Sequence, residues 1–144
     1  MKHSNEPQTI LVVEDDLSLL TLLEEVLKNA GYRVLMAQNG SDALLLALQN
    51  APDLALLDIQ MPGISGLMLA QSLVDETSVP FAFLTRETGA EELQKATALG
   101  AIGFLAKPIY PAQIIPFITI SLARAKDMQY LTAREMQLQT AVEA

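Results

Sequence analysis

The chain has no cysteine among its 144 residues. Disulfide scaffolds, zinc–thiolate centres and thiol nucleophiles are therefore excluded. Tryptophan is also missing and there is one histidine, His3, in a polar leader, so imidazole-based metal sites and histidine acid–base pairs have no second member. Positive charge is scarce as well: 9 Lys+Arg against 17 Asp+Glu leave a net charge of −8, which opposes non-specific binding to phosphate backbones. Direct DNA binding is not expected. The longest apolar stretch, Ile109 to Ala123, is interrupted by Pro111, Gln113 and Pro116 and falls short of the ~20 residues that span a bilayer. Residues Met1 to Gln8 lack the apolar core of a secretory signal. No membrane association and a cytoplasmic location are the expectations.

What remains is ordinary globular material. Hydrophobic residues make up 51% of the chain and charged residues 18%, against typical values of ~45–50% and ~25%. Short apolar runs at Ile10–Val13, Tyr32–Ala37, Leu54–Leu57, Val79–Leu84 and Ala101–Ala106 read as strands. Between them lie helical patterns: Leu17, Leu20, Leu23 and Leu27 up to a stop at Gly31, Ala43 to Gln49, Leu67 to Val74, and Glu87 to Leu99. From Pro111 the helical spacing of Ile114, Ile118, Leu122 and Ala125 runs on towards the C-terminus, and Pro116 predicts a kink if that helix begins at Pro111. Alternating strands and helices with short connections predict an α/β fold, a doubly wound five-stranded parallel sheet of (βα)5 type with an extended C-terminal helix.

Open parallel sheets bind ligands beyond the carboxyl ends of their strands. Each polar residue that interrupts the apolar pattern falls at such an end: Glu14-Asp15-Asp16, Asp58, Thr85 and Lys107. Asp16 is assigned to helix capping. Carboxylates gathered at one edge repel unless a cation joins them. An all-oxygen donor set without histidine or cysteine favours Mg²⁺, or Mn²⁺ as a substitute. The Lys107 ammonium and the Thr85 hydroxyl suit phosphoryl oxygens, and an aspartate can itself accept the phosphoryl group. Asp58, which follows the middle apolar strand and opens a loop, is the choice for acceptor, with Asp15 and Glu14 serving the metal.

These residues stand in the short segments Val12-Val13-Glu14-Asp15, Leu57-Asp58-Ile59-Gln60-Met61-Pro62-Gly63-Ile64-Ser65-Gly66, Phe83-Leu84-Thr85 and Phe104-Leu105-Ala106-Lys107-Pro108. In this order the four segments resemble the receiver (CheY-like) domain of two-component response regulators, a flavodoxin-like fold. The resemblance implies a receiver over residues 8–125 and a helical extension over 126–144. It implies that Asp58 takes a phosphoryl group from a sensor histidine kinase or phosphotransfer protein. Asp15 and Asp58 would bind Mg²⁺ directly, Glu14 through water, and the Gln60 backbone carbonyl would complete the protein ligands. It further implies that Thr85 and Phe104 relay phosphorylation to a surface read by a downstream effector, and that Lys107-Pro108 is cis. Such a protein is a phosphorelay switch with self-catalysed phosphotransfer and dephosphorylation, not a metabolic enzyme. Arg86 departs from the family's usual small residue after the threonine and is a candidate modulator of dephosphorylation.

Two other readings share these residues. A Mg²⁺-dependent aspartyl-phosphate phosphatase needs a carboxylate two residues after its nucleophile, where this chain has Gln60. A pseudo-receiver, acting only as a dimerisation or docking module, predicts broken acidic or lysine positions. The tail offers Met128, Leu131, Leu138 and Val142 at helical spacing, which predicts homodimerisation through the C-terminal helix, and it leaves no room for a DNA-binding module. The chain end also resembles the helix that leaves the receiver in antiterminator-type regulators.

Overall fold

The computed structural model describes residues 6–86 and 89–143, with side chains up to residue 138 of the last helix. The elements run β1 (Thr9–Val13), α1 (Leu17–Asn29), β2 (Arg33–Ala37), α2 (Gly40–Asn50), β3 (Leu54–Asp58), α3 (Gly66–Glu76), β4 (Phe81–Thr85), α4 (Ala90–Ala98), β5 (Phe104–Ala106) and α5 (Pro111–Glu143). The strands form one sheet in the order β2-β1-β3-β4-β5, with every neighbouring pair parallel. The order reverses between β1 and β3, so their carboxyl ends flank the crevice where the sequence pattern places its polar residues.

Both faces of the sheet are covered, which is why β1, β3 and β4 are apolar without alternation. One face sends Ile10, Val12, Leu56 and Leu84 against Leu20, Leu23 and Leu27 of α1 and Ile114, Ile118 and Leu122 of α5. The other sends Leu11, Val13, Leu57 and Phe83 against Ala43 and Ala47 of α2, Leu69 and Leu73 of α3, and Ala96 of α4. Truncating one of these buried leucines to alanine costs about 2–5 kcal/mol.

Local chemistry sets the helix starts. The Asp16 carboxylate accepts from Ser18 N at 2.9 Å and Leu19 N at 3.4 Å, capping α1. Asn39 caps α2 through Asp42 N at 2.9 Å, which moves its start to Gly40, ahead of the expected Ala43. Ser65 caps α3 through Met68 N at 3.2 Å. The expected start of α4 at Glu87 lies outside the described residues, as do His3 and the Val142 side chain.

The strands β2 and β4 are shifted by one or two residues from the sequence reading, and the last strand and helix differ more. Regular strand at β5 is only Phe104–Ala106, yet the residues before it still bond to β4: Ile102 N donates to Phe81 O at 2.9 Å and Phe83 N to Gly103 O at 3.0 Å. At α5 the helix runs through Pro116 without an assigned break. Pro111 occupies the first helical position, where its missing N–H costs nothing, and Tyr110 N donates to Gln113 Oε1 at 3.0 Å. The Lys107-Pro108 bond is cis.

Candidate functional site

Parallel register carries the polar residues to one edge. Val13 lies beside Leu57, Asp58 beside Leu84, and Thr85 beside Ala106, so the residues ending or following β1, β3, β4 and β5 sit at one level. Lys107 N donates to Thr85 O at 2.7 Å, tying the end of β5 to that of β4.

Glu14 and Asp58 are buried, with side-chain exposures of 0% and 1%. Burial of two carboxylates demands a cation, and Lys107 supplies it. Its Nζ donates to Glu14 Oε1 at 3.0 Å and Oε2 at 3.1 Å, and lies 3.2 Å from Asp58 Oδ2. Asp58 Oδ1 accepts from Gln60 N at 3.1 Å. Asp58 Oδ2, although ion-paired with Lys107, accepts no hydrogen bond of good geometry. Burial pushes the Glu14 carboxyl up from 4.5 to about 7; the Lys107 bond opposes that rise and the Asp58 carboxylate adds to it.

Asp15 is exposed, and one oxygen each from Glu14, Asp15 and Asp58 lie within 4.8 Å of one another. Three carboxylates facing a single lysine leave excess negative charge. Their donor set is oxygen only, and one buried oxygen lacks a hydrogen bond. That combination fits a small hard cation such as Mg²⁺.

Around this centre the remaining sequence candidates are placed as follows. Thr85 is the last residue of β4, buried, and its hydroxyl donates to Arg86 O at 2.8 Å. The Phe104 ring is partly buried and stacks on Phe83, with centroids 6.1 Å apart and planes 19° from parallel. Arg86 is exposed on the loop after β4, and its backbone N–H donates to Gln60 Oε1 at 3.3 Å.

Two contributors escaped the sequence reading. The Gln60 side chain is a strut between loops: besides accepting from Arg86 N, its Nε2 donates to Glu92 Oε2 at 3.4 Å. Its partners are 26 and 32 residues away, so no local pattern announces it. Gly66 lies against the acceptor strand, and a Cβ there would stand 2.2 Å from Asp58 O. Its position immediately after the Ser65 cap, inside a helix that otherwise favours side chains, is the one signal available.

A five-stranded parallel sheet wound on both faces, with an acidic pocket and a lysine at its carboxyl edge, defines the flavodoxin-like, CheY-like class of α/β proteins. Residues 10–119 match the response regulator receiver domain, and the chain belongs to that family of two-component signalling proteins. Members are phosphorylated by histidine kinases and act as signalling proteins, not classical enzymes. The chain is 33% identical over 120 residues to the DNA-binding response regulator MtrA of Mycolicibacterium smegmatis, covering 83% of this chain and 53% of MtrA. It is 38% identical over 115 residues to the transcriptional regulatory protein YrkP of Bacillus subtilis, covering 80% of this chain and 49% of YrkP. The chain thus spans about half the length of the curated relatives it matches, and the DNA binding in MtrA's name is said of MtrA. Among solved structures, the chemotaxis protein CheY4 of Vibrio cholerae matches with a TM-score of 0.74 and 29% identity, covering 79% of this chain and 98% of CheY4. Among the described residues no helix is long and apolar enough to cross a membrane.

Proposed function

We propose that this chain is a cytoplasmic phosphorelay switch in which Asp58 accepts a phosphoryl group from a sensor histidine kinase or phosphotransfer protein. The observation that carries the reading is the Lys107 ammonium held between Glu14 and Asp58, with Asp15 at the same edge. Glu14, Asp15, Asp58 and the Gln60 carbonyl would hold Mg²⁺, which when bound supplies positive charge against the phosphoryl oxygens.

In the transfer an Asp58 carboxylate oxygen forms the bond to phosphorus while the bond to the donor nitrogen breaks, its electron pair staying with the imidazole. Lys107, already in contact with Asp58, pairs with a phosphoryl oxygen and offsets the charge gathered there. Gln60 N orients Asp58 through Oδ1. Thr85, one strand over, turns its hydroxyl from Arg86 O to the phosphoryl group, and Phe104, stacked beside β4, passes the change to the surface read by the effector. Arg86 at the rim modulates hydrolysis. The receiver occupies 8–125 and the extension 126–144, and with a net charge of −8 it contacts proteins, not DNA. The Gln60 side chain carries no acidic proton and is tied to Arg86 and Glu92, which disfavours the phosphatase reading.

Incubation with Mg²⁺ and acetyl phosphate, followed by intact-mass measurement, tests the proposal. One phosphoryl adduct, absent from Asp58→Asn and lost when Asp15→Asn removes a metal ligand, is the expected result. An unmodified mass, together with no spectral change on adding beryllofluoride, would refute it and favour a docking module.

A further inference from the structure

The buried residues that anchor α5, Ile114, Ile118, Ser121, Leu122 and Ala125, end at Ala125, while the helix continues with Met128, Gln129, Thr132, Ala133 and Met136 along a groove shared with Val79 and Phe81. A different face carries Ile120, Arg124, Met128, Leu131, Glu135 and Leu138. These are spaced 4, 4, 3, 4 and 3 apart, or 18 residues in five turns, so they fall on one straight line along the helix. The four apolar members are 50–58% exposed. A helix of this length gains little stability from its backbone alone and depends on packing of an apolar face.

The charges on this face discriminate between arrangements. In a parallel in-register pair, Glu135 would face Glu135 and Arg124 would face Arg124 of the other copy along the seam. In an antiparallel pair with its two-fold axis near Tyr130, position numbers facing one another sum to about 260. Arg124 then meets Glu135 of the other copy, Asp127 meets Arg134, and Met128 packs on Leu131, each contact occurring twice by symmetry. Arg124 is already steadied there by an Nη1 bond to Ile102 O at 3.0 Å, and its guanidinium keeps further donors for a carboxylate. The same overlap lays the end of each helix along the exposed Ile120 of its partner.

We infer that α5 mediates an antiparallel homodimer through this stripe, centred near Tyr130. A second copy is the occupant because the pattern of opposite charges is complementary to itself when reversed and clashes with itself when parallel.

The absence of cysteine makes a direct test possible. Sedimentation equilibrium of the full chain across a concentration series is expected to show a species of twice the 15.6 kDa chain mass. Leu131→Asp should weaken dimerisation at least ~tenfold while leaving the urea midpoint of the body unchanged, since Leu131 is exposed. Mixing Asp127→Cys with Arg134→Cys under oxidation should yield the crossed disulfide in excess over either self-pair. A monomer at all concentrations, a trimer, or preferential self-pairing of Asp127→Cys would overturn the inference. Asp58→Asn should dimerise unchanged, so this inference and the phosphoryl reading fail separately.

Discussion

Replacing Gly66 with alanine probes how closely α3 is seated on the acceptor strand. A Cβ at this position runs into the backbone of Asp58 and Ile59: Asp58 O at 2.2 Å, Ile59 Cα at 2.8 Å and Asp58 C at 2.9 Å, where ordinary contact begins at 3.4 Å. The shortest contact falls 1.2 Å short, the difference between those two distances. Backbone cannot swing aside as a side-chain tip can, so the first turn of α3 must retreat and carry Leu69, Ala70 and Leu73 partly out of their core positions. Overpacking of this kind costs about 1–3 kcal/mol and more where backbone is the obstacle, while alanine returns up to ~1 kcal/mol through helix propensity. The expected net loss is about 2 kcal/mol, equivalent to about 1 M in urea midpoint. Urea unfolding followed by circular dichroism measures it, with Gly103→Ala as control, where the new Cβ meets only the Phe117 ring edge at 3.4 Å and the change should stay within about 0.5 kcal/mol. Because the retreat starts at the carbonyl of Asp58, Gly66→Ala should also take up less phosphoryl from acetyl phosphate than wild type under folding conditions. Equal midpoints for the two variants would refute the close seating of α3.

Three further outcomes follow from the site and its surroundings. Lys107→Met leaves two buried carboxylates without their cation, and urea unfolding at pH 8 should show a loss of about 3 kcal/mol that shrinks as the pH falls and a carboxyl takes up a proton. In chelator, the Glu14 carboxyl, raised in the folded chain to about 7 from 4.5, favours folding fully below pH 4.5 and loses that contribution as pH rises through 7. At 1.36 kcal/mol per unit this amounts to up to about 3 kcal/mol; the slope of stability against pH should flatten in Glu14→Gln, and an unchanged slope would show that another group carries it. Asp16→Ala removes the α1 cap and should cost about 1 kcal/mol in thermal unfolding without altering phosphoryl uptake.

The strands were legible because a sheet covered on both faces asks for uninterrupted apolar residues, and Ile10–Val13 and Leu54–Leu57 supply them with polar residues at once beyond. Asp58 and Thr85 were legible as the polar residues at those ends, although both prove to be the last residues of their strands. The short β5 was harder to bound, since Ile102 and Gly103 bond to β4 without regular strand geometry, while Ala101 N still donates to Ala96 O of α4. Asn39 and Ser65 show the local end of the scale: their caps involve residues three positions away. Gln60 shows the other end, because its side chain answers to Arg86 and Glu92 on a loop and helix that only the folded sheet brings near. The steric role of Gly66 is likewise written in Asp58 and Ile59, across a turn whose path the residue types alone do not specify.

The position of Lys107 bears on the order in which the protein is assembled. Sites that depend wholly on a metal for charge balance leave the chain unfolded until the ion arrives. Here an ammonium from the last strand's end already reaches both buried carboxylates across 93 and 49 residues of sequence. Closing that ion pair requires β5 to be in place beside β4, so completion of the sheet and the pairing of its two buried carboxylates with an ammonium go together. Folding of a newly made chain therefore need not wait for an ion, because the ammonium that pairs with its buried carboxylates is part of the chain itself.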